Sequence, residues 1–227
     1  MTGPRFSCLI PAWNEGPRIG AVLAAIDRHP RLDQVIVIDD GSTDDTAEIA
    51  RAHGVTVLQT PGNLGKTQAL LAGLAQASGS HLVLIDADLT GLTAADIDAL
   101  IAPVATGRAF ASLSLRGNAP RTWRALGLDY ISGERVIPRA LIAGQESALA
   151  RLPRFGFEVF LNRQILAQGG KVAVVRWPDV ASPAKSAKRG GLWQGIKGDV
   201  AMMRDIFATV PITETLHQII RLRQRAV

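Results

Sequence analysis

Two carboxylates two residues apart, Asp86 and Asp88, follow the apolar run LVLI (82–85). Where a buried strand meets a turn, such a pair can converge on one divalent cation. Oxygen ligands suit Mg2+ or Mn2+, and the remaining ligands would come from a diphosphate and water. A lone D-x-D also fits an ordinary turn or a helix cap. A second acid pair, Asp39 and Asp40, ends the run QVIVI within IDDGSTDD. A carboxylate there can accept hydrogen bonds from a nucleobase N–H or from ribose hydroxyls, while one of the two shapes the Gly-Ser turn. In IPAWNE (10–15), Pro11 and Trp13 offer flat apolar surface, and Asn14 and Glu15 offer polar contacts.

The stretch GNLGKT (62–67) has the tail of a phosphate-gripping P-loop, but the pattern requires a glycine five residues before Gly65, and that position is Thr60. What remains is Lys66, a single flexible cation. As a plain surface lysine at a helix start it would oppose the helix dipole. The dinucleotide pattern G-x-G-x-x-G is also missing after the first strand.

These residues need a frame. FSCLIPA (6–12), QVIVID (34–39), VTVLQT (55–60) and HLVLID (81–86) read as buried strands. Helices are expected over about 17–29, after a Ser42 cap as far as Gly54, over about 66–78, and over about 94–102 behind a Thr93 cap. Apolar strands separated by amphipathic helices predict an α/β chain whose parallel sheet is covered on both faces. Ligands of such sheets sit outside the carboxyl ends of the strands, and that rim is where IPAWNE, IDDGSTDD, TPGNLGK and IDADLTG fall. FASLSLR (110–116) and KVAVVRWP (171–178) read as further strands, and 213–225 as a basic helix. From Trp193, the residues Ile196, Val200, Met203, Phe207 and Val210 mark an amphipathic helix, which packs on the core or docks on a membrane surface.

At 227 residues the chain suits one domain. Its halves differ in charge: residues 1–110 hold 7 Lys/Arg against 12 Asp/Glu, and residues 111–227 hold 18 against 8. The basic half predicts a polyanionic partner: phosphate groups or an anionic membrane surface. Nucleic acid is not expected, since no recognition motif or interleaved surface aromatics accompany the charge. The single cysteine, Cys8, reads as a buried thiol. No secretory signal or membrane-spanning run is seen, which predicts a cytoplasmic protein, with attachment at the inner membrane face left open.

IPAWNE, VIDDGSTDDT (37–46), NLGKTQAL (63–70) and LIDADL (84–89), in this order, resemble the family 2 glycosyltransferases of the GT-A fold. The resemblance implies a single Rossmann-like domain over 1–227, with a nucleotide-sugar half (about 1–105) and an acceptor half (about 106–227). It implies a hexosyltransferase using a nucleotide-diphosphate sugar, UDP or GDP, with Mg2+ or Mn2+. Pro11, Trp13, Glu15, Asp39 and Asp40 would contact base or ribose, and Lys66 the diphosphate. Asp88 would be the chief metal ligand, with Asp86 sharing the metal or facing ribose. More loosely, SGERVIPR (132–139) and GFEVFLNRQIL (156–166) resemble the acceptor region of polyprenyl-phosphate and phosphoglycerate-type transferases. Gly133, Glu134, Arg135 and Arg116 would then meet substrate, with Glu158 on a helix entering the site. Lys188 and Arg189 of KSAKRGG would meet phosphate. Many inverting relatives carry an acidic pair after the sheet as general base. Here Glu134 and Glu158 stand at suitable places, beside Asp88, as catalytic candidates, with Asp129 and Glu146 as weaker ones. Together with the basic half this favours a phosphorylated acceptor, a polyprenyl phosphate or a small phosphorylated acid. A catalytically degenerate domain that binds nucleotide sugar or a partner is the alternative.

Overall fold

The computed structural model describes residues 3–152, 156–183 and 211–227. Its strands are β1 (Phe6–Ala12), β2 (Gln34–Asp39), β3 (Thr56–Gln59), β4 (His81–Leu84), β5 (Ala111–Arg116), β6 (Arg135–Pro138) and β7 (Val172–Trp177). They form one sheet in the order β3-β2-β1-β4-β6-β5-β7. The helices are α1 (Gly16–Ile26), α2 (Thr46–Ala52), α3 (Lys66–Gln76), α4 (Ala94–Ala105), α5 (Arg121–Leu126), α6 (Glu146–Leu149), α7 (Gly156–Ala167) and α8 (Ile212–Gln224).

Strand alternation explains the layering. On β1, Leu9 points to the face packed by Leu70 and Leu74 of α3, with Leu161 and Ile165 of α7 in the same cluster. Its neighbours Cys8 and Ile10 point to the opposite face, among Ile19, Val22, Leu23 and Ile26 of α1 and Ile97 of α4. Both faces are thus covered, as wholly apolar strands require. Cys8 is fully buried, and burial pushes its thiol pKa up.

β1 pairs in parallel with β2 on one side and β4 on the other. The chain winds outward to β3 and then returns to the far side of β1. This reversal opens a crevice at the carboxyl ends of β1 and β4, where doubly wound sheets hold their ligands.

The sheet is mostly parallel, as expected; its antiparallel member is β6, which runs against β4 and β5. RVIP is short and follows the charged Glu134, so it reads as loop, yet Leu82↔Ile137 and Val83↔Val136 bring it into register. The helix expected behind Ser42 starts four residues later, at Thr46. Ser42 Oγ instead accepts the Asn14 N–H at 2.9 Å, and the Asp44 carboxylate accepts Thr46 N–H at 3.1 Å. β4 ends at Leu84, two residues short of expectation, which leaves Asp86 and Asp88 on the turn beyond it. Thr93 does cap α4, in a reciprocal box with Asp96. The helix expected over 193–210 and the KSAKRGG loop with Lys188 and Arg189 lie outside the described residues.

Candidate active site

An open cavity of about 790 Å³ sits at the crevice between β1 and β4, within the size range of small-molecule sites. Pro11, Trp13 and Glu15 line it from the end of β1, Asp40 from the end of β2, and Leu64, Gly65 and Lys66 from the loop into α3. Asp86 and Asp88 line it beyond β4, and Glu158 and Phe157 from the first turn of α7. Trp13 is half exposed at the mouth.

Lys66, the first residue of α3, sends its Nζ to 2.7 Å from Asp86 Oδ1 and 3.4 Å from Glu158 Oε1. Three segments far apart in sequence meet at this amine. Burial alone would lower its pKa, but Asp86 and then Glu158 outweigh that and hold Lys66 above the ordinary lysine value. Burial would likewise raise Asp86, yet Lys66, and behind it Arg116, hold its carboxyl below the usual range. Gly133 forms the wall behind the pair. A β-carbon there would stand 2.7 Å from Asp86 Oδ2 and 2.8 Å from Lys66 Nζ, so a larger residue would displace the ends of these two side chains.

The acids after β2 are anchored differently. Asp39 is fully buried, accepting hydrogen bonds from Ser42 N–H (3.1 Å) and Gln59 Nε2 (2.9 Å), and it does not line the cavity. Asp40 lines it, but with three bonds already made: from Thr60 Oγ1 and Leu64 N–H at 3.0 Å and from Gly65 N–H at 2.7 Å. Asp40 therefore shapes the loop that launches α3 and aims Lys66, and its charge complements the positive end of that helix. A second clasp joins the β1 and β2 rims. Thr43 N–H donates to Asn14 Oδ1 (2.8 Å), Glu15 N–H to Thr46 Oγ1 (2.9 Å) and Gly16 N–H to Asp44 Oδ2 (3.1 Å). The last two satisfy amides at the start of α1.

Behind Asp86 lies a buried polar network that the sequence reading assigned to substrate. Glu134 is fully buried and lines none of the described cavities. Its Oε2 accepts from Ser114 Oγ (2.7 Å) and Ser132 Oγ (3.1 Å), and Arg116 Nη1 stands 3.5 Å from its Oε1. Burial pushes the Glu134 pKa up against the pull of Arg116. Arg116 also reaches toward Asp129 Oδ2 at 4.0 Å and donates to Ser182 Oγ at 2.8 Å. Arg135 is buried too, its guanidinium committed to Ser132 O (2.6 Å), Asn162 Oδ1 (2.6 Å) and Tyr130 O (3.0 Å). Arg135 lines a small recess that adjoins the large cavity, the two sharing Pro11, Lys66, Asp86, Phe157 and Glu158.

Ser114 and Ser132 were not singled out by sequence; single serines inside loops and strands carry no spacing signal. Asp44 was visible only as part of a turn. Among the described residues no group of three or more His, Cys, Asp or Glu is placed to hold a metal. Asp86 and Asp88 are hard donors beside a cavity with room for a diphosphate, a set that fits Mg2+ or Mn2+ when phosphate oxygens and water complete the shell.

A family model described as glycosyl transferase family 2 matches residues 7–135. A 4,4'-diaponeurosporenoate glycosyltransferase from Staphylococcus aureus is 40% identical over 98 residues, which are 41% of this chain and 26% of that protein. The chain thus matches about a quarter of that relative's length. Among solved structures, glucosyl-3-phosphoglycerate synthase from Mycobacterium tuberculosis with Mn2+, UDP and phosphoglyceric acid aligns with a TM-score of 0.73 at 27% identity. That alignment covers 96% of this chain and 79% of the synthase. The same synthase with Mg2+ and UDP gives a TM-score of 0.67 at 29% identity, over 80% and 72% of the two chains. The matched family stretch runs from β1 to the first residue of β6 and holds both acid pairs, Lys66 and Gly133; the chain belongs to glycosyl transferase family 2.

Proposed function

We propose that the chain transfers a hexose from a nucleotide-diphosphate sugar, UDP being the favoured nucleotide, to a phosphorylated acceptor. The observation that carries this reading is the meeting of Lys66, Asp86 and Glu158 with Asp88 on one wall of the 790 Å³ cavity at the switch point of the sheet. The synthase it resembles has been solved with UDP, Mg2+ or Mn2+, and phosphoglyceric acid.

In this reading Pro11, Trp13 and Glu15 border the base and ribose, with Asp40 completing that wall. Asp88 is the leading metal ligand, with Asp86 beside it on the same turn; Mg2+ or Mn2+, when bound, would neutralise charge on the departing diphosphate. Lys66 supplies a second positive charge at that point, in a place where an oriented cation stabilises developing charge. Glu158 is the carboxylate an acceptor hydroxyl can reach, and it takes the proton if the nucleophile is a hydroxyl. A phosphate oxygen would need no such base. Glu134 acts from behind the wall, steadying Asp86 and Arg116 rather than touching substrate.

A thermal-shift series with UDP-, GDP- and dTDP-sugars, with and without Mn2+, tests the donor half on the wild type and Asp88→Ala. One nucleotide is expected to raise Tm only with the metal, and Asp88→Ala is expected to lose that rise while keeping its ligand-free Tm. A rise undiminished in Asp88→Ala would overturn the metal-held donor. Transfer assays with phosphoglyceric acid, a polyprenyl phosphate and an unphosphorylated polyol then rank the acceptors. Preference for the polyol would overturn the phosphorylated class.

A further inference from the structure

Outside the lining of the cavity, α5 and α8 present a surface that the proposed reaction does not use. The buried residues of α8, Thr215, Gln218, Ile219 and Leu222, define its inward face. Leu216 and Ile220, four residues apart and therefore on one flank, are 54% and 56% exposed. Arg223 continues that flank, and its guanidinium lies against Gly127 at the end of α5, 3.2 Å from where a β-carbon would stand. The preceding residue, Leu126, is itself 37% exposed. Arg223 thus links the end of α5 to the exposed flank of α8.

The surround is cationic. Arg121 and Arg124 are exposed on α5, and Arg221 and Arg223 on the last turn of α8. The acid of α8, Glu214, is itself engaged: its Oε1 pairs with Arg163 at 3.6 Å and accepts from Gln218 Nε2 at 3.1 Å. Core packing explains neither the exposed leucines and isoleucine nor the density of arginine. Large apolar side chains on a basic helix flank are the composition that lies in the plane of an anionic membrane interface. A protein partner would require an acidic apolar groove of matching shape, whereas a bilayer supplies both anionic headgroups and apolar depth to any convex surface. Among the described residues no helix is long and apolar enough to cross a membrane, so the contact would be at the surface.

We propose that the α5–α8 face, with Leu126, Leu216 and Ile220 inserted and Arg121, Arg124, Arg221 and Arg223 on headgroups, docks the protein on anionic lipid bilayers. The contact needs neither donor nor acceptor, so it stands or falls separately from the proposed reaction.

Co-sedimentation of the full chain with vesicles of phosphatidylcholine, with and without phosphatidylglycerol, tests it. Binding is expected only with phosphatidylglycerol, and to fall away in about 0.5 M salt as headgroup attraction is screened. Arg221→Glu with Arg223→Glu is expected to weaken binding by tenfold or more, since each basic residue near such a surface contributes about a factor of five. Leu216→Glu with Ile220→Glu, both at exposed positions, is expected to weaken it similarly while leaving Tm unchanged. Equal binding to neutral vesicles, no binding to either, or full binding by both double variants would overturn the proposal. So would a drop from dimer to monomer caused by Leu216→Glu with Ile220→Glu in sedimentation velocity, because the face would then belong to a second copy.

Discussion

The acids at the end of β2 hold N–H groups of their own chain, whereas those beyond β4 face a cation and a cavity. Asp39 and Asp40 together accept from Ser42, Gln59, Thr60, Leu64 and Gly65. Asp86 instead pairs with the Lys66 amine, which also reaches Glu158 of α7. Two acid pairs that follow β2 and β4, the strands flanking β1, thus do different work. The first fixes loop shape through directed bonds to short, rigid partners. The second holds charge in a place that a ligand can enter. An acidic residue at a strand end is informative about chemistry only once the partners of its oxygens are known, because a carboxylate engaged by backbone amides has little left to offer a substrate.

The comparison is broken most directly at Lys66. Lys66→Ala removes the cation that stands between Asp86 and Glu158. Transfer is expected to fall about a hundredfold, about 2.7 kcal/mol of barrier, with little change in Tm. Steady-state kinetics with a nucleotide sugar and Mn2+ checks it. An unchanged rate would make GNLGKT an ordinary helix start and remove the distinction between the two acid pairs.

Asp39→Ala acts on the other side. It removes the buried carboxylate that accepts from the Ser42 N–H and the Gln59 amide, and the expected loss is about 2 kcal/mol of stability. Urea unfolding at neutral pH measures it. Turnover per folded molecule is expected to change much less than in Lys66→Ala. If Asp39→Ala instead kept its stability and lost donor affinity, Asp39 would be a ligand-contacting residue and the contrast would collapse.

Most of the first half was legible because its signals are periodic. Apolar runs of four to seven residues ended by Pro, Gly and Asp located β1 to β4, and the sheet rule located the rim. The meeting of Lys66 with Asp86 was legible only as proximity on that rim. Glu158 comes from α7, some seventy residues later, and no spacing could bring it to the same amine. β6 escaped notice because RVIP is short and its pairing is set by β4 and β5, a tertiary cause that local propensity does not contain. The roles imagined for Glu134 and Arg135 failed to anticipate burial. SGER reads as a polar loop, yet its charged side chains turn inward, to Ser114 and Ser132 in one case and Asn162 in the other. A charged residue in a loop was read as exposed; here the network of partners is what makes its burial affordable.

The smallest effect belongs to the clasp that supports the β2 rim. Asp44 accepts from Thr46 N–H, Thr46 Oγ1 and Gly16 N–H, tying the turn after β2 to the start of α1. Burial works against its charge, but the Thr46 hydroxyl and the two amides prevail and hold Asp44 below the ordinary carboxylate value. A carboxylate depressed in the folded state stabilises the fold above its unfolded pKa, about 3.9, and loses that contribution as pH falls through the folded value. Asp44→Ala is therefore expected to cost about 1 kcal/mol at pH 7, and less as the pH is taken below about 4, in urea unfolding at each pH. Such a pH dependence would put Asp44 with Asp39 and Asp40, as a carboxylate whose charge serves the backbone. A deficit that stayed the same at low pH would mean that the shape of the side chain, and not its ionised oxygens, holds the two rims together.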